Sequence, residues 1–498
     1  MNPRATSRDS AADGPPGASP KPPGPAKAAS AARDLAYGAH PGRVGVSPPP
    51  FGQYPTPMPF APRPARLFLL VGLLLAAPAT PAATPAAVAP FLRTELVFPV
   101  QAEHTHGSTL VELPNGDLLV GWFQGSGERW ADDVRILGAR KKKGAATWSA
   151  PFVLADVKEF PDCNPVLFVD PRGRLWVMWI TILANQWETA LIKYRISDDF
   201  LGQAGAPVWR WQDTLLLKPG GKAERGIQPG DPFVASVRDQ AQAYAAYLAA
   251  DPVHAPARER WTAAAERLVS LARGEDMLRA GRIQAVDGSS DETRLGYPYF
   301  RRMGWQTRNK PFLTRTGRLI LPLYSDGFSF SLMAYTDDAG DTWHSSAPLV
   351  AAGNIQPALA ATASGDLVAL MRDNGPAPKR LHLSRSTDQG QTWSPVRDST
   401  LPNSGTACDL ATLPNGHWVL VNNDTETGRH RLTLSLSEDE GKTWRHHKRL
   451  ADEADTRSHY PAVIIGADGL IHVSYSYFQA DNRKAIKHAV CNEAWLRQ

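Results

Sequence analysis

Short apolar runs, each led in by a glycine-centred turn, recur along most of this chain. Leu113-Pro114-Asn115-Gly116-Asp117-Leu118-Leu119-Val120-Gly121-Trp122 shows the pattern in full: a tight turn, then an apolar strand. It returns around Gly173, Gly317, Gly365, Gly416 and Gly469. Copies about fifty residues apart predict one blade each, so the six of them predict an all-β, six-bladed propeller. Between Gly173 and Gly317 the gap is much longer and must hold an insertion. There the chain turns rich in Ala, Arg and Glu (ARERWTAAAERLVSLARGEDMLRA), with apolar residues at helical spacing. Residues 236–295 are therefore expected to form two or three helices within the middle blades. Such an insert would either roof one side of a central cleft, restricting it to chain ends, or offer an association surface.

The beginning of the chain is a different kind of sequence. Residues 1–57 are Pro, Gly, Ala and Ser with few large apolar side chains, a composition that cannot build a packed core and predicts disorder. From Met58 the chain reads MPFAPRPARLFLLVGLLLAAPATPAAT. Two arginines, an apolar run over 67–77 and a small-residue site at Ala77-Pro78-Ala79 make residues 58–79 a secretory signal peptide. A signal works at a chain's N-terminus, so Met58 is expected to be the start of translation, with 1–57 a mis-called extension. Residues 80–94 read as a linker to a propeller over 95–498. The expected location is periplasmic or secreted, with no stable membrane span after cleavage. A single-pass anchor at 67–77 is the alternative, although that run is short for a span.

Removing the leader changes the charge balance. Residues 1–89 carry eight of the 54 Lys+Arg and three of the 49 Asp+Glu, leaving 46 of each and a net charge of zero. The basic character belongs to the leader, nothing favours nucleic acid as a partner, and Lys141-Lys142-Lys143 reads as a solvated hairpin tip. Three cysteines, Cys163, Cys408 and Cys491, show no CxxC and no metal-ligand spacing, so no metal or other cofactor is expected.

A second repeat fixes the fold class. Thr336 to Trp343 (TDDAGDTW), Ser386 to Trp393 (STDQGQTW) and Ser437 to Trp444 (SEDEGKTW) share Ser/Thr-x-Asp-x-Gly-x-Thr-Trp. The hydroxyl and carboxylate can bond backbone N–H groups within a tight turn, glycine supplies positive φ, and tryptophan fills the apolar layer between blades. Degenerate copies are expected at Thr147-Trp148 and near Ser197-Asp199. The pattern resembles the Asp-box, or BNR repeat, of the sialidase superfamily, and the resemblance runs over roughly 95–498. It is best to bacterial BNR-repeat proteins described as sialidase-like.

That resemblance implies a site. Arg372, after the Gly365 turn, and Arg429, eight residues ahead of Ser437, match two arginines of the family's carboxylate-binding triad. Tyr460, nine residues ahead of Gly469, matches its nucleophile. Two departures accompany these matches. Gln356 stands where the family carries the glutamate that activates the tyrosine, and an amide cannot take a proton from a phenol. His106 stands where the first triad arginine is expected. The acid/base carboxylate should lie in the loop holding Glu128, Asp132 and Asp133, among which spacing does not choose.

The chemistry explains the residue types. Sialic acid carries a carboxylate on its anomeric carbon, so a carboxylate nucleophile would meet like charge, whereas a phenol approaches neutral. Arginines hold the substrate carboxylate in a fork. The resemblance therefore implies an exo-acting hydrolase of a terminal acidic sugar, its partner an acidic glycan, with His106 the candidate base because its ordinary pKa is about 6.5. Two other classes stay open: a uronate-directed polysaccharide lyase using His106 and Tyr460, and a carbohydrate-binding propeller without chemistry. Blander roles remain for each residue too. Arg372 and Arg429 could be salt-bridged braces, Tyr460 a core tyrosine, His104 and His106 ordinary strand histidines, and the loop carboxylates solvation. Asn164-Pro165, Arg308-Asn309 and Asn423-Asp424 would point polar groups at the channel mouth without an assignable role.

Overall fold

A computed structural model of the chain describes residues 89–220, 231–273 and 302–498. The expected extension at 1–57, the leader at 58–79, the apolar run at 67–77 and the end of the helical segment lie outside the described residues. What is described is a ring of six antiparallel sheets, as the six Gly turns predict. Four have four consecutive strands in simple up-and-down order, and the third blade adds a short strand, Phe312–Leu313, beside Leu319–Ser325. The sixth borrows its outer strand: β1 (Leu92–Leu96) pairs with Lys484–Cys491, placing Leu92 opposite Cys491 and Leu96 opposite Lys487. The start of the domain thus closes the ring and removes the open edge that an antiparallel blade would otherwise present.

The three repeats act as local braces, each built the same way. Thr336 Oγ1 accepts from Gly340 N (2.9 Å) while Asp338 Oδ1 accepts from Thr342 N (2.8 Å). Ser386 and Asp388 repeat both contacts with Gly390 N and Thr392 N (2.8 and 2.9 Å), and Ser437 and Asp439 with Gly441 N and Thr443 N (both 2.8 Å). Glycine is needed at Gly340: its φ is +96°, and a Cβ there would come within 2.6 Å of the Trp176 ring in the second blade. Of the three repeat tryptophans Trp393 is buried, while Trp343 and Trp444 are half-buried against the core. At the degenerate position, Ser197 Oγ accepts from Asp199 N (3.2 Å) and from no other group among the described residues.

One expectation is corrected. Lys141 is not part of a solvated tip: it is 5% exposed, and its ammonium lies 2.5 Å from Glu95 of β1, whereas Lys142 and Lys143 are exposed. The pair ties the first blade to the closing strand. Glu95 is itself held down to about 2; burial opposes this, but bonds from His488 and Lys141 prevail.

The insertion lies between the second and third sheets and begins earlier than 236. Helix α1 (Pro232–Ala250) has proline at its first position and Asp231 as its cap, accepting from Phe233 N at 2.9 Å. Helix α2 (Ala255–Arg273) returns against it, with the Trp261 indole donating to Ala241 O (3.0 Å). Both helices join the main apolar core rather than sitting on it as an appendage. Phe233 of α1 meets Phe328 and Phe330 of the third blade at 5.8 and 6.4 Å. On the fourth blade, His382 is fully buried 3.1 Å from Asp398 and 3.4 Å from Asp373, and the Asp398 N–H donates to the Tyr247 hydroxyl of α1 (3.2 Å). Burial alone would lower His382, yet the two carboxylates raise it to about 9. Helix α1 is thereby tied through Asp398 and His382 to Asp373, the chain neighbour of Arg372. Among the described residues no helix is long and apolar enough to cross a membrane.

Phe328 is fully buried and stacks on Phe330 at 4.8 Å, so Phe328→Ala leaves a cavity at the seam between α1 and the third blade. Its expected cost is about 3–5 kcal/mol, read as a lower midpoint in denaturant unfolding. A loss below about 1 kcal/mol would show that the helices contribute little to the core.

Candidate active site

The inner strands of the six sheets are His104–Glu112, Asp162–Val169, Trp305–Thr307, Asn354–Ala361, Asp409–Thr412 and Arg457–Ile465. In four of them the ladder is interrupted at the same place, between His106/Thr109, Cys163/Val166, Ile355/Ala358 and His459/Ala462. The first bulged residue is Gly107, Asn164, Gln356 or Tyr460, with φ of +65°, +50°, +55° and +46°. A bulge turns one side chain out of the alternation of the strand, and three non-glycine residues held at positive φ mark a place where the fold imposes the geometry. Each of these residues lies nine positions ahead of its Gly turn; the same offset from Gly317 lands on Arg308.

Tyr460 is half-buried, and its hydroxyl makes no hydrogen bond to a described residue. Its ring lies against His106, centroids 4.4 Å apart, with Arg308 over it at 4.9 Å and Arg429 at 5.9 Å. Arg308 is 2% exposed and donates to Ser108 O (3.2 Å) and Pro461 O (3.0 Å), bracing the bulges of the first and sixth blades. Arg429 Nη1 lies 2.6 Å from His459 Nδ1, and His459 stacks on Phe478 at 4.4 Å. Arg372 donates to Gln356 Oε1 (3.3 Å) and Asn374 Oδ1 (3.0 Å). Among the described residues, none of these three guanidiniums has a carboxylate within 4.0 Å. Two of these guanidiniums lie over the Tyr460 ring and Arg372 is near enough to Arg429 to help burial lower its pKa, which makes a cationic site suited to an anionic ligand.

Gln356 faces a different tyrosine from the one its position in the resemblance suggests. Its amide donates to the Tyr324 hydroxyl (3.3 Å), which also accepts from Asn164 (3.2 Å) and donates to Gln306 Oε1 (3.1 Å). Gln306 in turn donates to Asp326 (2.7 Å). A polar chain therefore runs from Arg372 to Asp326. Burial pushes both the Tyr324 phenol and the Asp326 carboxyl up. Asn309 and Asn423 close the rim from behind; each spends its amide on three backbone carbonyls.

Of the loop carboxylates, Glu128 stands 3.1 Å from His104 Nε2, and the His104 ring lies 5.5 Å from that of His106. Asp133 accepts from Ser126 N and Oγ at 3.1 and 2.8 Å, and Asp132 is exposed. Sequence reasoning named Arg308 without a role and missed Tyr324, Asp326 and His459. The three cysteines are buried and free, and the described residues hold no group of three or more His, Cys, Asp or Glu able to bind a metal.

Burial first, and then neighbouring His459, His104, Arg429 and Arg308, holds His106 well below its ordinary value; burial and Arg429 do the same for His459. Both are therefore neutral in the folded protein near pH 7. An unfolded histidine titrates near 6.5, so below about pH 7 the unfolded chain binds more protons and stability falls as pH drops, by about 1.4 kcal/mol per pH unit for each histidine. Thermal melts from pH 7 to 5 should show this fall, shallower in a His106→Asn variant. An equal slope in wild type and variant would count against a buried neutral imidazole.

The BNR repeat-like domain model matches residues 116–235 and 290–473, more than half of the chain. The chain belongs to this family. Among solved structures, the NanB sialidase of Streptococcus pneumoniae superposes with a TM-score of 0.54 at 12% identity, over 81% of this chain and 71% of that one. A protein of unknown function from Dyadobacter fermentans gives 0.54 at 13%, over 80% and 99%. A Hadza microbial sialidase gives 0.52 at 15%, over 79% of this chain; the BNR-repeat chain spans only 66% of that sialidase's length. At such identities the likeness is one of fold: this is a sialidase-like BNR-repeat propeller. No curated protein sequence matches it.

Proposed function

We propose that this BNR-repeat protein is an exo-acting glycoside hydrolase of sialidase type that removes a terminal acidic sugar from a glycan or glycoconjugate. The observation carrying this is the convergence on Tyr460 of Arg308 and Arg429, with the uncharged His106 ring at 4.4 Å. Arg372 and Arg429 hold the sugar carboxylate in charge-assisted hydrogen bonds. Tyr460 Oη attacks the anomeric carbon as its proton passes to His106, which takes over the part an amide at Gln356 cannot play; the bound sugar carboxylate, by offsetting Arg429 and Arg308, raises the imidazole from its depressed value in the free protein. The glycosidic oxygen leaves with a proton from a loop carboxylate. The contact with His104 supports Glu128 in that role over the exposed Asp132. Water then opens the glycosyl–tyrosine bond, the loop carboxylate taking its proton and His106 returning the other to the phenolate. Arg308 touches no substrate in this scheme; it positions Tyr460 through the Pro461 carbonyl. The leader-like segment at 58–79 fits export to where such glycans occur.

A second reading is favoured by one specific observation, an amide at Gln356 together with a neutral His106 against the Tyr460 ring: a lyase that abstracts the proton α to a uronate carboxylate needs no glutamate here. The deciding experiment is turnover of a fluorogenic sialoside by the full chain, beside a panel of uronate polymers. Released fluorophore supports the hydrolase. A new ultraviolet absorbance from an unsaturated uronate, without sialoside turnover, replaces it with the lyase. Binding with no product from any substrate overturns both and leaves a carbohydrate-binding propeller.

A further inference from the structure

Beside the arginine cluster lies an open cavity of about 880 Å³ between helix α2 and the third and fourth blades. Its floor depends on two glycines. A Cβ on Gly353 would come within 2.7 Å of the Asn374 backbone, and one on Gly375 within 2.2 Å of Ala352 O, so two loops approach there as closely as backbone allows. One wall is a single face of α2. Arg260, Ala264 and Arg267 follow at i, i+4 and i+7, above the buried Trp261 and Leu268. Arg260 and Arg267 are exposed, and among the described residues neither has a carboxylate within 4.0 Å. Away from the helix the lining carries Asp326 and Glu188.

Two connections join this cavity to the central site. Asn374 lines it and accepts from Arg372 Nη2 at 3.0 Å. Asp326 lines it and ends the polar chain that begins at Arg372. A glycan whose terminal carboxylate sits on Arg372 therefore has this cavity as a place for its next sugar.

We infer that the cavity is a subsite for a second sugar unit bearing its own anionic group, held by Arg260 and Arg267, so that the preferred glycan is one of consecutive acidic sugars. The inference rests on the reading of the central cluster as the seat of the terminal acidic sugar. The two parts of the lining set the orientation. Asp326 and Glu188 repel an anion and accept from sugar hydroxyls, which turns the anionic substituent toward α2.

The test compares two probes on the full chain carrying Tyr460→Phe, which prevents turnover: a disaccharide of two sialic acids, and sialic acid linked to neutral galactose. Calorimetry should give a Kd about tenfold lower for the dianionic probe, with that advantage shrinking as salt rises from low to physiological ionic strength. Adding Arg260→Gln and Arg267→Gln should remove the advantage while leaving the galactose-linked probe within about twofold. Both substitutions are on the helix surface, and an unchanged thermal midpoint verifies folding. Equal affinity for the two probes, or an advantage that survives the double substitution, overturns the subsite alone. If neither probe binds, the central-cluster reading falls with it.

Discussion

Tyr460→Phe is expected to lower kcat on a fluorogenic sialoside by about a thousandfold or more with little change in KM, because it removes the attacking oxygen and leaves the arginines in place. The substitution is conservative in every other respect. The Tyr460 hydroxyl has no hydrogen-bond partner among the described residues, so deletion strands no buried polar group, and the ring keeps its contacts with His106, Arg308 and Arg429. Stability should therefore stay within about 0.5 kcal/mol of wild type, which separates loss of chemistry from loss of fold. His106→Asn should also reduce kcat, by about a hundredfold, as expected for a proton acceptor and not for a nucleophile. Full activity in Tyr460→Phe would remove tyrosine from the reaction and favour water attack assisted by a carboxylate.

The propeller was legible because its signals are local and repeated. A Gly turn followed by an apolar strand encodes one hairpin, and each Ser/Thr-x-Asp-x-Gly-x-Thr-Trp copy is bonded within its own eight residues. The helices were legible from their period, although the start was placed at 236 because Asp231-Pro232, a cap followed by a first-turn proline, was not used as the start signal. Lys141 was misread because its partner Glu95 is on the strand that closes the ring, a contact no local pattern encodes.

The site was legible only where the resemblance supplied an offset. Arg308 occupies in the third blade the place that Tyr460 occupies in the sixth, nine residues ahead of a Gly turn, so counting back from every turn would have found it. Asn164-Pro165, Gln356-Pro357 and Tyr460-Pro461 are a second signal, since proline after the first bulged residue falls where the ladder has already lost its hydrogen bond. Tyr324 and Asp326 carry no such mark. They reach the channel because the second strand of the third blade ends beside the Gln356 bulge, a relation between blades that one strand's sequence does not contain.

Arg372→Ala with Arg429→Ala should lower kcat/KM for a sialoside by about a thousandfold, mostly through KM. Each guanidinium lacks a carboxylate partner among the described residues, so the charge it offers a ligand is not spent within the protein. A hydrogen bond to a charged group is worth about 1.5–3 kcal/mol, or about 10–150-fold per arginine, and the two losses should be nearly additive only if each holds the ligand separately. Arg372→Lys retains the charge but loses the fork between Gln356 and Asn374, so it should fall between wild type and Arg372→Ala. A sialoside methyl ester provides the discriminating control. Its carboxyl is uncharged, so it should be a poor substrate for wild type, and the double variant should reduce its turnover by no more than about tenfold. Equal losses on acid and ester would mean that the arginines shape the pocket without binding the carboxylate, and Arg372 and Arg429 would then be positioning residues for Tyr460, as Arg308 is.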